Sequence, residues 1–203
     1  MKKVFISFAT GVVLTLSTTA LASSEQVQAW LFPSTFQING EIKLLGSEYE
    51  VLNYKDHAYV PVRFVSEQLG AGVGYNSRDD VIAIENEPND GSELDKQLWK
   101  FKYKITPNSS QRDVKETFGT ASYSNNEQKL WRYDISSTNS YVSNTINADT
   151  KAIQEGSLQA QIFIYWKKDN TFDRLSIWYS KNKKDIHIYN IDSNGSFSEA
   201  MYE

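Results

Sequence analysis

The sequence contains no cysteine, and only two of its 203 residues are histidine. The missing cysteines exclude a disulfide scaffold, an iron–sulfur protein and a cysteine-ligated zinc site. Because His57 and His187 are far apart in the chain, a metal site would have to rely heavily on carboxylates. We therefore expect no metal ion and no cofactor.

Long apolar runs are also scarce, and the one that exists lies at the N-terminus. Lys2 and Lys3 precede a mostly apolar stretch over residues 4–16, and Ala20 and Ala22 place small residues before Ser23. This pattern is typical of a secretory signal peptide, which we place at residues 1–22. The stretch is short and interrupted by hydroxyl residues, which disfavours a membrane anchor. We therefore expect a secreted, extracellular protein that is released or held at the cell wall by non-covalent contacts.

The charge balance is acidic. Without Lys2 and Lys3, 19 basic residues remain against 25 acidic ones, a net charge of −6. A surface of that sign repels phosphate backbones and anionic lipids. Nucleic acid is therefore excluded as an expected partner, and so is membrane insertion after removal of the signal.

The rest of the chain divides at a polar, acidic stretch, residues 89–97, which we interpret as a linker. Short alternating strands around one helix precede it, and a strand-rich, aromatic segment follows it. The sequence predicts an α+β protein of two small domains, residues 23–88 and 98–203. Each is expected to consist of an antiparallel sheet and a short helix.

The first domain carries two strong local signals. Asn39-Gly40 between short alternating strands predicts a tight hairpin, because these residues accept the positive φ angles of a two-residue turn. Pro61 predicts the start of a helix that Gly70 ends. Within that helix, the spacing of Val62, Val65 and Leu69 predicts that these three form the inward face.

The order of these motifs resembles the copper amine oxidase N-terminal "stalk" domain over residues 27–86. The resemblance depends on the hairpin, a Tyr-Val-Pro-x-Arg junction, a Glu-x-Leu-Gly helix end and a closing strand. In this sequence the motifs are Ile38-Asn39-Gly40-Glu41, Tyr59-Val60-Pro61-Val62-Arg63, Glu67-Gln68-Leu69-Gly70 and Val81-Ile82-Ala83-Ile84.

The resemblance implies a small α+β domain that is not the catalytic part of those oxidases and that recurs on secreted and wall-associated bacterial proteins. The oxidase active site requires three histidine ligands for copper, and this chain has two histidines. It also requires a tyrosine in an Asn-Tyr-acid context, whereas Asn53-Tyr54 is followed by Lys55 here. Copper chemistry is therefore not expected.

The second domain begins with a capping signal. Ser110 and Asp113 form a capping box, which predicts a short helix that ends at Gly119. Four strands are expected after it, at residues 130–135, 158–166, 172–179 and 186–191. The helix, a Phe-Gly end and a Trp-x-Tyr strand resemble the β-lactamase-inhibitor-protein and small outer-membrane-lipoprotein fold over residues 98–190. That resemblance implies binding, inhibition or assembly rather than catalysis.

A hairpin loop at residues 168–171 would set the register of the two long strands. Tyr165 would then oppose Arg174, and Gln161 would oppose Trp178. One face would be aliphatic and lie under the helix, and the other would combine aromatic rings with basic and polar groups. The aliphatic face comprises Leu158, Ala160, Ile162, Ile164, Leu175, Ile177 and Tyr179. The candidate partner-binding face comprises Phe163, Tyr165, Phe172, Arg174 and Trp178.

Aromatic residues with arginine are typical of interface hot spots, so this face predicts a binding surface for an extracellular protein. The sequence leaves open whether residues 136–156 or the first domain cover it. We interpret the chain as a secreted, non-enzymatic binding protein. Two alternatives remain open: a carbohydrate or peptidoglycan binder that stacks sugars on Phe163, Tyr165 and Trp178, and a secreted hydrolase with a carboxylate pair. No catalytic residue can be named.

Overall fold

The computed structural model describes residues 26–138, 141–143, 146–182 and 184–202. The predicted signal peptide lies outside these residues. The fold class is α+β with antiparallel sheets, as predicted. The helices are α1 (Val62–Gln68), α2 (Glu93–Tyr103), α3 (Gln111–Phe118) and α4 (Thr150–Glu155).

The strands form one large sheet and three small ones. The small sheets belong to the N-terminal module (residues 26–88), and the six-stranded sheet belongs to the C-terminal module (residues 93–202). The small sheets consist of β1 (Trp30–Leu31), β4 (Leu52–Tyr54) and β5 (His57–Tyr59); of β2 (Phe36–Ile38) and β3 (Glu41–Lys43); and of β6 (Ala71–Asn76) and β7 (Val81–Asn86). The large sheet has the order β13-β12-β11-β10-β9-β8, with β8 (Tyr123–Asn125), β9 (Leu130–Ser136), β10 (Leu158–Trp166), β11 (Phe172–Ser180), β12 (Ile186–Ile191) and β13 (Phe197–Tyr202).

Two-residue turns with positive φ connect two of the three N-terminal hairpins. Asn39 and Gly40 have φ angles of 52° and 84°, so the hairpin predicted at this pair is confirmed. Lys55 and Asp56, at 51° and 61°, connect β4 to β5 in the same way. Asparagine, aspartate and glycine tolerate this region best, and Lys55 is the least usual occupant.

The inward face predicted for α1 is wrong. Val62 and Leu69 are exposed, and the buried residues of the helix are Phe64 and Ser66. The ring of Phe64 packs edge-on against Phe36, with the two centroids 5.1 Å apart. The largest side chain of the helix therefore turns towards the core, and of the three residues with the expected spacing Val62 and Leu69 are left on the surface while Val65 is half-buried. Gly70 ends the helix with a φ of 85°, as predicted.

Two capped helices cover one face of the large sheet. α3 begins at the predicted capping box of Ser110 and Asp113, and α2 begins at an equivalent one formed by Ser92 and Asp95. α2 was not predicted, and it starts within residues 89–97, the segment interpreted as a linker. The ring of Phe101 on α2 stacks on that of Phe118 on α3, with centroids 4.0 Å apart.

The aliphatic face lies in this core, as predicted, with one exception. Ala160, Ile162 and Ile164 on β10 are fully buried beneath α2 and α3, together with Leu175 and Ile177 on β11. Leu158 instead belongs to a second cluster with Ile153 of α4 and Ile186. A register shift between Leu158 and Ala160 moves Leu158 to the opposite side of the sheet, where α4 covers it.

The two modules contact each other at two glycines of β6, Gly72 and Gly74. A methyl group at Gly72 would overlap the ring of Tyr103, and one at Gly74 would lie 2.9 Å from Cδ1 of Phe197. The Trp99 indole Nε1 donates to the Glu85 carbonyl at 3.1 Å, which joins α2 to β7. The Ser196 hydroxyl accepts from the Ser77 backbone N–H at 3.0 Å. Independent folding of the two modules stays a prediction.

Candidate functional site

The β10–β11 pairing brings four of the predicted face residues together. Tyr165 pairs with Arg174 and Gln161 pairs with Trp178, so the predicted register is confirmed from Gln161 to Tyr165. Side chains alternate between the two sides of a strand. Phe163, Tyr165, Arg174 and Trp178 therefore lie on the side of the sheet away from α2 and α3.

Phe172 does not lie on this face, and its assignment to the candidate site is wrong. A register shift between Tyr165 and Trp166 pairs Trp166 with Phe172. Phe172 is consequently buried in the core, and its ring packs edge-on against Trp166 at a centroid distance of 6.5 Å. The sequence contains no signal for this shift, because the hairpin loop can close in either register.

A groove of about 300 Å³ crosses this face. Its sheet side consists of Phe163, Tyr165, Trp178 and Tyr202, and its other wall includes residues 146–148 and Thr150. Phe163 is 3% exposed, whereas Trp178 is half-buried and packs edge-on against Tyr202 at 5.2 Å. The face is therefore covered in part. The segment before α4 closes over Phe163 and leaves the rings beside it accessible.

Arg174 lies beside the groove, next to Tyr165. Its guanidinium carbon is 4.0 Å from the centroid of the Tyr165 ring, a stacked cation–π arrangement. Arg174 also lines a second cavity of about 300 Å³, together with Arg78 and Ser77 of the N-terminal module. The guanidinium therefore lies between the aromatic groove and the junction of the two modules, and it remains exposed on this surface.

A buried polar network anchors the groove wall to the sheet. The side-chain oxygen of Gln161, which is fully buried, accepts from the backbone N–H of Asp149 at 2.8 Å. Its amide Nε2 donates to Asp134 Oδ1 at 2.8 Å, and Asp134 in turn lies 2.9 Å from the guanidinium of Arg132. The Asp149 carboxylate also caps α4 by accepting from the Ala152 N–H. These bonds hold the covering segment in one position, so the groove is formed in the free protein.

Sequence analysis missed several residues of this site. Tyr202 reaches the groove only because β13 pairs with β12, and the C-terminal tail gave no strong strand signal. The role of Gln161 had one visible sign, since it is the polar residue in the middle of an apolar strand. Asp149 and Arg78 come from distant parts of the chain, and their positions depend on tertiary structure.

A second polar cluster surrounds Glu199 at the cleft between the modules. The Tyr179 hydroxyl donates to the Glu199 carboxylate, and Lys102 Nζ donates to the Tyr179 hydroxyl at 3.2 Å. Lys181 and His187 each approach the same carboxylate at 3.6 Å. The cleft beside this cluster measures about 450 Å³.

The electrostatics of this cluster favour a fixed ion pair. Burial alone would raise the pKa of Glu199, but the Tyr179 hydrogen bond and the nearby cations lower it below its usual value. Burial lowers the pKa of Lys102, partly offset by the Glu199 carboxylate. The Lys102 ammonium also lies 4.5 Å from the centroid of the Tyr189 ring. Each ionised group in this cluster thus has a partner within the protein.

Within the described ranges, no group of three or more histidine or acidic residues is placed to hold a metal ion. Among the same residues, none of the helices combines the length and the apolar composition needed to cross a membrane.

Most of the N-terminal module matches a known family. Residues 14–84 match the family model of the copper amine oxidase N-terminal domain. The resemblance predicted for residues 27–86 is thereby confirmed. The matched copper amine oxidase N-terminal domain is the non-catalytic part of that family, and the match begins inside the predicted signal peptide and ends within β7.

The C-terminal module lies outside the copper amine oxidase N-terminal match. No curated protein and no solved structure matches the chain. The resemblance of residues 98–190 to the β-lactamase-inhibitor-protein fold therefore stays a prediction.

Proposed function

We propose that this chain is a non-enzymatic binding protein that works outside the cell and holds a partner protein in its aromatic groove. The observation that carries the proposal is the groove lined by Phe163, Tyr165, Trp178 and Tyr202, with Arg174 stacked on Tyr165 beside it. Tyrosine, tryptophan and arginine in a partly enclosed site are the residues that dominate protein–protein binding energies. The N-terminal module would serve as the stalk-type support.

The orientation of the rings favours a protein partner over a glycan. A sugar ring stacks flat on an exposed aromatic face, and a chain of sugars needs coplanar platforms. The planes of Trp178 and Tyr202 are inclined at 62°, and the Tyr165 ring is occupied by Arg174. A carbohydrate or peptidoglycan ligand is therefore the second candidate, supported by the aromatic lining alone.

A hydrolase receives less support from the geometry. The cleft between the modules is lined by two carboxylates, Glu85 and Asp95. Asp95, however, accepts hydrogen bonds from the backbone N–H and the hydroxyl of Ser92 in the capping box that begins α2. A carboxylate fixed in a helix cap is poorly placed to act as a general acid or base.

Two features support an extracellular location. One is the signal-peptide pattern of residues 1–22, and the other is the absence of cysteine, which leaves no thiol to be oxidised outside the cell. The copper amine oxidase N-terminal match agrees with a non-catalytic role for the first module. Association with the bacterial cell wall would follow from the partner that the groove holds.

The test compares matched variants of the mature chain, residues 23–203. Immobilised wild type, Tyr165→Ala and Arg174→Ala are exposed to the culture supernatant and to cell-wall extract of the source cells, with Lys168→Ala in the adjacent exposed loop as the control. We expect wild type and Lys168→Ala to retain one protein. The amount of that protein retained by either groove variant should be lower by about tenfold or more.

Two outcomes would contradict the proposal. Equal retention by all four chains would show that the groove is not the contact surface. The second outcome is that the wild type retains purified peptidoglycan, that Tyr165→Ala abolishes this retention and that Arg174→Ala leaves it unchanged. This result would favour the carbohydrate-binding alternative, because stacking and not charge would then carry the contact.

A further inference from the structure

The N-terminal module leaves an unusual number of large apolar side chains in water. Nineteen large hydrophobic residues are exposed among those that the structure describes, and fifteen of them lie between Val27 and Ile84. A concentration of this kind marks an interaction surface, whereas single exposed apolar residues are ordinary. The aromatic groove lies on the other module, so this surface is separate from it.

Three of these side chains form a continuous row. In the β1-β4-β5 sheet, Leu31 pairs with Leu52, and Leu52 pairs with Tyr59. Residues that oppose each other across strands point to the same side of the sheet. The exposed fractions are 66% for Leu31, 38% for Leu52 and 52% for Tyr59. We call these three residues the Leu31 row.

Within the part of the chain that the structure describes, no segment covers the Leu31 row. Val51, which directly precedes Leu52 in the chain, is buried. The core of the module therefore lies on the side of the sheet opposite to the row. The C-terminal module packs elsewhere, against Gly72 and Gly74 of β6. The row is therefore a surface that residues 26–202, as far as the structure describes them, leave exposed.

Charge indicates which partner would occupy it. Residues 23–90 contain four basic residues against eleven acidic ones, a net of −7, whereas residues 91–203 contain fifteen against fourteen, a net of +1. Exposed Glu50 and Asp56 flank β4, beside the row. The negative charge of this module would repel a second copy of the module, an anionic lipid and an anionic wall polymer. It would attract a basic segment.

The dimensions of the row match a helix. Neighbouring strands are about 4.8 Å apart, so three side chains across three strands span roughly 10 Å. Apolar residues at i, i+3 or i+4, and i+7 of an α-helix span about 10.5 Å. Alternate residues of an extended strand would be spaced more widely than the row.

We propose that the Leu31 row is a docking site for a basic amphipathic helix of another protein. The apolar stripe of that helix packs on Leu31, Leu52 and Tyr59, and its lysine or arginine side chains reach Glu50 and Asp56. The proposal is independent of the aromatic groove, and either can fail without the other.

The experiment measures peptide binding to the mature chain by calorimetry. The probe is an 18-residue helical peptide with leucine at i, i+3, i+4 and i+7 positions and lysine on its other faces. The matched peptide carries glutamate in place of every lysine. We expect the basic peptide to bind, the acidic peptide to bind at least about tenfold more weakly, and the affinity for the basic peptide to fall as salt is added.

Variants locate the binding site. Leu52→Ser and, as a more exposed second choice, Leu31→Ser should each weaken binding of the basic peptide by about tenfold or more. The control is Leu44→Ser, because Leu44 is 86% exposed and follows β3 in another sheet, and it should leave binding unchanged. Circular dichroism confirms that each variant is folded.

Three results would overturn the proposal. The first is equal binding of the basic and acidic peptides, or binding of neither. The second is an equal effect of Leu52→Ser and Leu44→Ser. The third is a dimer in sedimentation that Leu52→Ser dissociates, which would assign the row to a second copy of this chain.

Discussion

The two modules share a fold class and differ in how completely they bury their apolar side chains. In the C-terminal module, Ile162 and Ile164 on β10 and Leu175 and Ile177 on β11 are completely buried. In the N-terminal module the row of Leu31, Leu52 and Tyr59 faces water. One module thus completes its core within the chain, and the other presents apolar surface for contact.

Element size explains this difference. β10 and β11 are nine residues each and lie in the middle of a six-stranded sheet that has helices on both sides. Each N-terminal sheet has two or three strands, and several of these strands are only two or three residues long. One seven-residue helix is available to cover them. A small sheet with one helix can bury one face at most. The exposed rows follow from this geometry.

The largest effect is expected in the C-terminal core. Ile164→Ala removes a fully buried side chain between the sheet and the helices above it. We expect a loss of about 2–5 kcal/mol in the free energy of unfolding, because the cavity cannot collapse in a tightly packed sheet. Urea denaturation followed by circular dichroism measures it. A loss below 0.5 kcal/mol, the ordinary size of a surface effect, would show that this core is loosely packed.

A smaller effect is expected where the modules meet. Gly72→Ala introduces a methyl group against the buried ring of Tyr103, so the contact must open or the ring must shift. We expect about 1–3 kcal/mol of destabilisation and faster proteolysis near residues 86–93. The control is Gly46→Ala, because the methyl group there meets only the end of the flexible Glu48 side chain. Equal behaviour of the two variants would contradict tight packing at the junction.

Alkaline pH should destabilise the C-terminal module. Burial raises the pKa of Tyr133 to about 12, and it also raises the pKa of Tyr103, Tyr179 and Tyr189. These tyrosines favour the neutral form in the folded state. Their contribution to the free energy of unfolding is therefore complete below pH 10 and is lost as the pH rises above it.

The variant Tyr133→Phe isolates one of these groups. The fall in unfolding free energy between pH 9 and pH 12 should be smaller in this variant than in wild type by roughly 1–2 kcal/mol. Urea titrations at several pH values measure the difference. Parallel pH profiles would show that the Tyr133 hydroxyl, which donates to the Gly119 carbonyl, ionises as easily as in the unfolded chain.

The smallest effect is expected on the exposed row. Leu31→Ala removes a side chain that is already mostly in water, so the free energy of unfolding should change by less than about 0.5 kcal/mol. The same urea titration used for Ile164→Ala provides the comparison. A loss similar to that of Ile164→Ala would mean that the row is part of a core and would weaken the contrast between the modules.

Local chemistry was predictable from the sequence. The Asn39-Gly40 turn, the Ser110–Asp113 capping box and the β10–β11 register from Gln161 to Tyr165 depend on neighbouring residues and were found correctly. Period-two alternation also separated Ile164 from Tyr165 and placed the central residues of β10 and β11 on the correct faces, while Leu158 and Phe172, next to register shifts, were misplaced.

Tertiary effects were not predictable in the same way. α2 was missed because its aromatic residues hid the helical period in a segment that begins with linker-like composition. The inward face of α1 was wrong because packing on Phe36 selected Phe64 over Val62 and Leu69. Phe172 left the candidate site through a one-residue shift. Of these three cases, only that of α1 was decided by a contact far away in the sequence, between Phe36 and Phe64.

The glycines of β6 limit how these modules can be recombined. Tyr103 and Phe197 lie directly on the backbone at Gly72 and Gly74, so the C-terminal module contacts a strand that must have no side chains at two alternate positions. Transplanting this module onto another stalk-type module would keep the interface only where that recipient also has glycine at both positions. The compatibility of a chimeric junction can therefore be judged from two residues of the recipient.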